Sequence, residues 1–233
     1  MSRVIERARA EGRTKLFESE AFDLLRQYSI PVPEYGVASD EKEAVDIAER
    51  IGYPVAVKVL SRMIVHKTDV GGVVLGVADK DRLIEACAKI RANVRAKAPY
   101  ADIEGCLIQK MVPQGTELIV GAVYDDIFGH VLVFGLGGIL TELYRDVSMR
   151  IVPVEEEDAW DMIREVRAYK LLTGYRGTAP RDLPAIVDII VKFSKLLSEN
   201  PEIKEADLNP VIALEEGKGA YVVDARFLLG GPD

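Results

Sequence analysis

Residues 55–72 read VAVKVLSRMIVHKTDVGG. The first six are β-branched or apolar except for Lys58, and they form the clearest strand signal in the first 60 residues. Burying an unpaired ammonium is costly, so a strand lysine either snorkels from a sheet edge or meets an anion. Apolar neighbours on both sides of Lys58 favour an anion such as a nucleotide phosphate. The polar, glycine-containing residues 61–72 form a loop that carries His66, one of only two histidines. Neutral imidazole is a nucleophile and can accept a phosphoryl group. Lys67 and the Gly71-Gly72 backbone are placed to screen the charge of such a group. The plain alternative is an exposed loop histidine of no function.

Outward from this stretch, helices and strands interleave. Leu16, Phe17, Ala21, Leu24, Leu25 and Tyr28 recur at helical spacing, and Pro31 and Pro33 stop that helix. Residues 34–38 are a short strand. Ser39 or Asp40 caps a helix striped by Ala44, Ile47, Ala48 and Ile51, with Gly52 at its C-terminal end. Downstream, residues 73–77 are a strand, and Asp79 opens a helix with Leu83, Cys87, Ile90 and Val94 inward. Strands follow at 106–112, 117–124, 131–134 and 149–152, with a glycine-rich turn at 135–138. His130 is a turn or strand-entry residue. Residues 155–158, four consecutive acids, suit a helix N-terminus. Residues 186–197 are an amphipathic helix, and strands at 207–214 and 221–228 flank a turn at 216–219.

This alternation defines an α/β or α+β protein. Its 233 residues suffice for one or two domains. With 48% hydrophobic and 29% charged residues the composition is that of a globular chain, and no apolar run approaches the roughly 20 residues of a membrane span. No membrane partner is therefore expected. The first residues lack the apolar stretch of a signal peptide, so a cytoplasmic location is expected. Cys87 and Cys106 show no CxxC spacing and read as buried thiols of a reducing compartment. The net charge of −8 disfavours nucleic acid held by phosphate neutralisation, but a few local donors and a metal ion suffice for a nucleotide. No GxxxxGK[ST] motif is present, and Leu140 stands where GxGxxG needs its third glycine.

Asp207-Leu208-Asn209-Pro210 and the distant Asp224 are the second chemical signal. Period-two geometry puts Asp207 and Asn209 on one strand face, and a hairpin returns Asp224 beside them. Two carboxylates and an amide oxygen form a hard, incomplete shell, suited to Mg²⁺ when phosphates supply the remaining ligands. An Asx turn with an unrelated acid is the alternative. Between residues 109 and 117 a strand enters a Pro-Gly connection and leaves as another strand. Such a hinge can offer backbone groups to an adenine edge, with Glu117 accepting from ribose hydroxyls. Taken alone it is an ordinary β-connection.

The order of these features, strand lysine, glycine loop, hinge with a following acid, then D-x-N with a later Asp, resembles the ATP-grasp layout. The resemblance becomes specific in Leu25-x-x-Tyr28-x-Ile30-Pro31-Val32-Pro33, Val57-Lys58, His66-Lys67-Thr68-Asp69-x-Gly71-Gly72-Val73, Phe134-Gly135-Leu136-Gly137-Gly138 and Asp207-Leu208-Asn209-Pro210. Together these motifs span nearly the whole chain. They resemble the beta, or ATP-grasp, subunit of the archaeal ADP-forming acetyl-CoA (acyl-CoA) synthetases, relatives of succinyl-CoA synthetase. The His66 motif is the most specific of the set.

The resemblance implies an ATP-grasp fold of two α+β lobes that hold nucleotide between them. The small lobe would be residues 30–105 and the large lobe 106–233, with an N-terminal helix in 1–29 packed on them. It implies that Lys58 meets the phosphates, that Gln109 and Val112 face adenine, and that Glu117 meets the ribose. Asp207, Asn209 and Asp224 would bind Mg²⁺, Arg150 would clamp phosphate or phosphohistidine, and His66 would be a transient phosphoryl acceptor. Asp207 and Gln109 each replace a Glu common among the relatives. The implied reaction is acetyl-CoA or another acyl-CoA + ADP + Pi ⇌ acid + ATP + CoA. The acyl chemistry would lie on a CoA-binding alpha subunit in an α2β2 heterotetramer. A stand-alone ATP-grasp carboxylate ligase is the competing reading. A non-catalytic regulatory subunit would lack Lys58, Asn209 and Asp224, which are present.

Overall fold

The computed structural model describes residues 2–64, 66–137 and 146–230. The chain forms two units, a smaller one of Phe17–Ser19 and Pro33–Met111, and a larger one of Met1–Leu16, Glu20–Val32 and Val112–Asp233. Where one N-terminal helix is expected, two form: α1 (Arg3–Ala10), capped by the Ser2 side chain, and α2 (Glu18–Gln27). Gly12, at φ +70°, lies in the turn after α1.

The smaller unit contains β1 (Tyr35–Ala38), α3 (Glu41–Ile51), β2 (Val55–Leu60), β3 (Val73–Val77), α4 (Lys80–Lys97) and β4 (Gly105–Lys110). Asp40, not Ser39, caps α3, accepting from the Glu43 N–H at 2.8 Å, and Asp79 caps α4 in the same way. The sheet is antiparallel in the order β1-β4-β2-β3. Val55, Val57 and Val59 join Cys106, Ile108 and the inner residues of α3 and α4 in one core. The alternate residues Ala56, Lys58, Leu107 and Gln109 turn to the opposite face and are buried too. Burial on both faces explains the continuous apolar run of β2. Residues 106–110, which the sequence reading assigns to the larger lobe, complete β4. Their ladders to β1 and β2 place the contact boundary at Met111/Val112.

The larger unit adds β5 (Thr116–Asp125), β6 (Gly129–Leu136), β7 (Val147–Ile151), α5 (Glu156–Glu165), the short α6 (Tyr169–Leu172), α7 (Leu183–Glu199), β8 (Ile203–Ala213), β9 (Ala220–Val222) and β10 (Ala225–Leu229). Its antiparallel sheet runs β10-β8-β5-β6-β7, with β9 also paired to β8. The acidic start of α5 is as expected, with the Asp158 carboxylate accepting from the Glu155 N–H at 3.0 Å. The inward face of the sheet, including Leu118, Val120, Leu132, Phe134, Leu208 and Phe227, is buried together with Ile186, Ile190, Phe193 and Leu197 of α7. Phe193 meets Phe227 edge-on at 6.4 Å. The N-terminal segment is tied to this unit by backbone bonds from Leu16 to Phe227 and from Val222 to Pro31. The expected final strand 221–228 is broken at residues 223–224 into β9 and β10, both held by the longer β8. Gly138 of the glycine-rich turn lies outside the described residues.

His130, the second residue of β6, is a packing residue. Its Nε2 lies 2.7 Å from the Ile203 carbonyl oxygen, which can only accept, so Nε2 carries the proton. The ring meets Tyr124 edge-on, and the Lys204 ammonium stands over that tyrosine. Burial holds the imidazole pKa below the usual 6.5; the Ile203 carbonyl opposes this, and the Lys204 charge adds to it. Stability tied to the neutral ring is complete above pH about 6.5 and is lost as the pH falls through the lower folded value. Native protein should therefore show a lower urea midpoint at pH about 5.5 than at about 7.5. In His130→Gln, which retains a donor for Ile203, the difference should shrink. An undiminished difference would assign the acid sensitivity to other groups.

Candidate functional site

Lys58 lies on β2, an interior strand, so snorkelling from a sheet edge is excluded by topology. It is 5% exposed, and its ammonium meets an anion. That anion is the Glu18 carboxylate, with Lys58 Nζ 2.6 Å from Oε1. Lys67 Nζ stands 2.8 Å from Oε2 of the same group, whose side chain is 2% exposed. One buried carboxylate thus lies against both the strand lysine and the lysine that follows His66. Glu18 was not singled out from the sequence, although a signal exists. It sits three and seven residues before Ala21 and Leu25, on the apolar helical register, where a carboxylate needs a partner.

The loop after His66 is tightly built. The Gly72 N–H donates to the Lys67 carbonyl at 2.7 Å, and the Val59 N–H donates to the Gly72 carbonyl at 2.8 Å. From α4, Asn93 donates to the Gly71 carbonyl and Lys97 to that of Asp69. A β-carbon at Gly72 would stand 2.5 Å from Val59 Cγ1 and 3.0 Å from the Lys67 oxygen, so only glycine closes this turn without displacement. His66 is exposed at the head of the fixed segment. Gln109 lies on the Lys58 face of the sheet, buried, opposite Ala56.

In the larger unit, Ala206 and Leu208 point into the core while Asp207 and Asn209 point away from it. Asp207 lies between Arg226 of β10 and the side-chain-free Gly121 of β5. The hairpin register brings Asp224 opposite Asn209, whose N–H donates to the Asp224 carbonyl at 3.1 Å. Asp224 thus returns in the expected hairpin, whose register is continuous from Val211↔Val222 to Leu208↔Ala225. Burial pushes the Asp207 carboxyl above its usual range; Arg226 opposes this, and Asp224 and Glu205 add to it. A cation at this position would relieve that strain on the charged form. Among the described residues no group of three or more His, Cys, Asp or Glu is arranged to hold a metal. Two carboxylates and an amide, all hard oxygen donors, fit Mg²⁺ that takes its other ligands from phosphate.

Glu117 is exposed on β5, opposite Ile212 of β8. Gly137 donates its N–H to the Glu117 carbonyl at 2.8 Å, and a β-carbon there would lie 3.0 Å from the Glu117 carbonyl carbon. Close backbone approach is thus one function of the glycine-rich turn. Val112 is half-buried, two residues past β4. The Arg150 guanidinium is forked against Glu165, with Nη1 3.0 Å from Oε2, and is a surface ion pair. Cys87 and Cys106 are buried free thiols, as expected. No helix among the described residues is long and apolar enough to cross a membrane.

A buried strand lysine on one antiparallel sheet and a D-x-N strand with a returning aspartate on another define an ATP-grasp type of nucleotide-binding protein. The ATP-grasp domain family matches residues 7–229, and the chain belongs to that family. It is 47% identical over 226 residues to the beta subunit of acetate–CoA ligase [ADP-forming] I of Pyrococcus furiosus, covering 97% of this chain and 96% of the relative. Among solved structures, it superposes on Ca. Korarchaeum cryptofilum dinucleotide-forming acetyl-coenzyme A synthetase 1 in complex with coenzyme A, Ca-AMPCP and HgCl⁺. The TM-score is 0.94 at 46% identity, covering 97% of this chain and 98% of that one. A second structure of that enzyme, with coenzyme A, Mg-AMPPCP and a phosphohistidine segment pointing towards the nucleotide-binding site, matches at TM-score 0.85 and 42% identity, over 97% and 98% of the two chains.

Gly72→Ala should destabilise the smaller unit by about 1–3 kcal/mol, the usual cost of overpacking. Chemical denaturation measures it directly. An unchanged midpoint would show that Val59 and the Lys67 carbonyl yield freely.

Proposed function

We propose that the chain is the nucleotide-binding subunit of a cytoplasmic ADP-forming acyl-CoA synthetase, an acid–thiol ligase. It works with a CoA-binding alpha subunit in an α2β2 assembly. The observation that carries this reading is local. His66 is exposed beside Lys67, whose ammonium shares one buried carboxylate with Lys58. An acceptor imidazole next to two cations is what phosphoryl transfer requires of a protein, since positioning and charge supply most of the catalysis. Full-length likeness to a beta subunit of an acetate–CoA ligase supports the same assignment.

In this proposal the partner forms the acyl phosphate and carries the phosphoryl group as phosphohistidine. The His66 imidazole nitrogen attacks phosphorus, and the P–N bond to the partner breaks as the new P–N bond forms. An oxygen of the ADP β-phosphate then takes the phosphoryl group, giving ATP and restoring His66. Lys58 binds the phosphates, Gln109 and Val112 the adenine, and Glu117 the ribose. Asp207, Asn209 and Asp224 hold Mg²⁺, which when bound neutralises phosphate charge. A clamp role for Arg150 would require phosphate to displace Glu165.

The purified chain should bind Mg·ADP by calorimetry and produce no ATP from acetyl-CoA, ADP and phosphate until an alpha partner is added. Turnover by the chain alone would instead support the stand-alone carboxylate ligase. In the reconstituted complex His66→Ala should keep nucleotide affinity within about threefold and abolish phosphoryl transfer, a split typical of a nucleophile. Lys58→Ala and Asp224→Ala should weaken Mg·ADP binding. Wild-type turnover by His66→Ala would remove that residue from the reaction.

A further inference from the structure

Glu18 has no part in the roles assigned so far, yet it is the buried group on which both lysines converge. We infer that Glu18 is an internal counter-anion, a positioning residue that holds Lys58 and Lys67 until phosphate oxygens take them over. This inference rests on the nucleotide-binding reading above.

The chemistry follows from the donor count. An ammonium carries three N–H donors and no acceptor, so each lysine seeks oxygens. The Glu18 carboxylate accepts a hydrogen bond from Lys58 on Oε1 at 2.6 Å. It stands in an ion pair with Lys67 at 2.8 Å from Oε2, which itself accepts no hydrogen bond among the described residues. Two ammonium groups face this one carboxylate, so the charge it screens is shared between them. Phosphate is the natural competitor, because its oxygens offer the same charge-assisted bonds. The carboxylate also fixes the start of the His66 loop through Lys67, while Asn93 and Lys97 fix its later turns. Glu18 thus acts in two opposing ways. It weakens ground-state phosphate binding by occupying the lysines, and it speeds transfer by keeping Lys67, and so His66, in place.

Those opposing effects give the test. Glu18→Gln keeps the size and loses the charge. In the full chain it should bind Mg·ADP and inorganic phosphate about threefold or more tightly by calorimetry. In the complex with the alpha partner it should lower kcat for ATP formation at least about tenfold, with KM for ADP unchanged or reduced. Lys67→Gln, at the neighbouring group, should shift affinity the opposite way. Glu18→Asp withdraws the charge by one methylene, serves if Glu18→Gln folds poorly, and should move affinity in the same direction by less. A merely structural Glu18 would give weaker binding and lower kcat together, with Glu18→Gln and Lys67→Gln alike, and that result would overturn the inference. If wild-type chain binds nucleotide but Glu18→Gln does not bind it more tightly, only the counter-anion role falls. If wild-type chain binds no nucleotide, the nucleotide reading falls with it.

Discussion

The contact of Lys58 and Lys67 with the Glu18 carboxylate is the constraint around which the smaller unit is organised. A lysine on an interior, doubly covered strand is tolerated only with a counter-charge, since losing one partner of a buried ion pair costs about 3–5 kcal/mol. Glu18 supplies that charge from the start of α2. The same group reaches the loop of Lys67, so strand, helix start and His66 loop share one electrostatic centre. A hydrophobic pair would satisfy β2 equally well as packing. Retaining an ionic cluster there makes sense as a site for an exchangeable anion.

The larger unit meets a related problem with a different device. Its sheet carries Asp207 on the face away from the core, where burial still disfavours the charge, and Asp224 adds like charge nearby. The antiparallel register, continuous from Val211↔Val222 to Leu208↔Ala225, sets Asp224 opposite Asn209, whose N–H donates to the Asp224 carbonyl. Gly121 leaves room beside Asp207, and Gly137 lets the end of β6 approach Glu117. Small residues shape this face as much as the carboxylates do.

Most of the architecture was legible in the sequence, because its signals are local. Alternation, caps at Asp40 and Asp79, and the glycines of the loops foretell the elements to within a few residues. The site motifs were legible because spacing along a strand is spacing in space. What escaped notice depends on distant contacts. Glu18 stands 40 residues from Lys58, and its role appears only once the fold brings them together. The placement of β4 follows from ladders to β1 and β2, which no local pattern states. His130 illustrates the reverse case, an eye-catching residue whose partners are a backbone carbonyl and a tyrosine ring.

The central claim is that the lysine pair on Glu18 is a phosphate site. A crystal structure of the chain with Mg·ADP tests it most directly. The account predicts a phosphate oxygen within about 3 Å of Lys58 Nζ or Lys67 Nζ, with that lysine drawn away from Glu18. Bound nucleotide with both lysines still held on the Glu18 carboxylate, and no phosphate oxygen in reach of either, would contradict it.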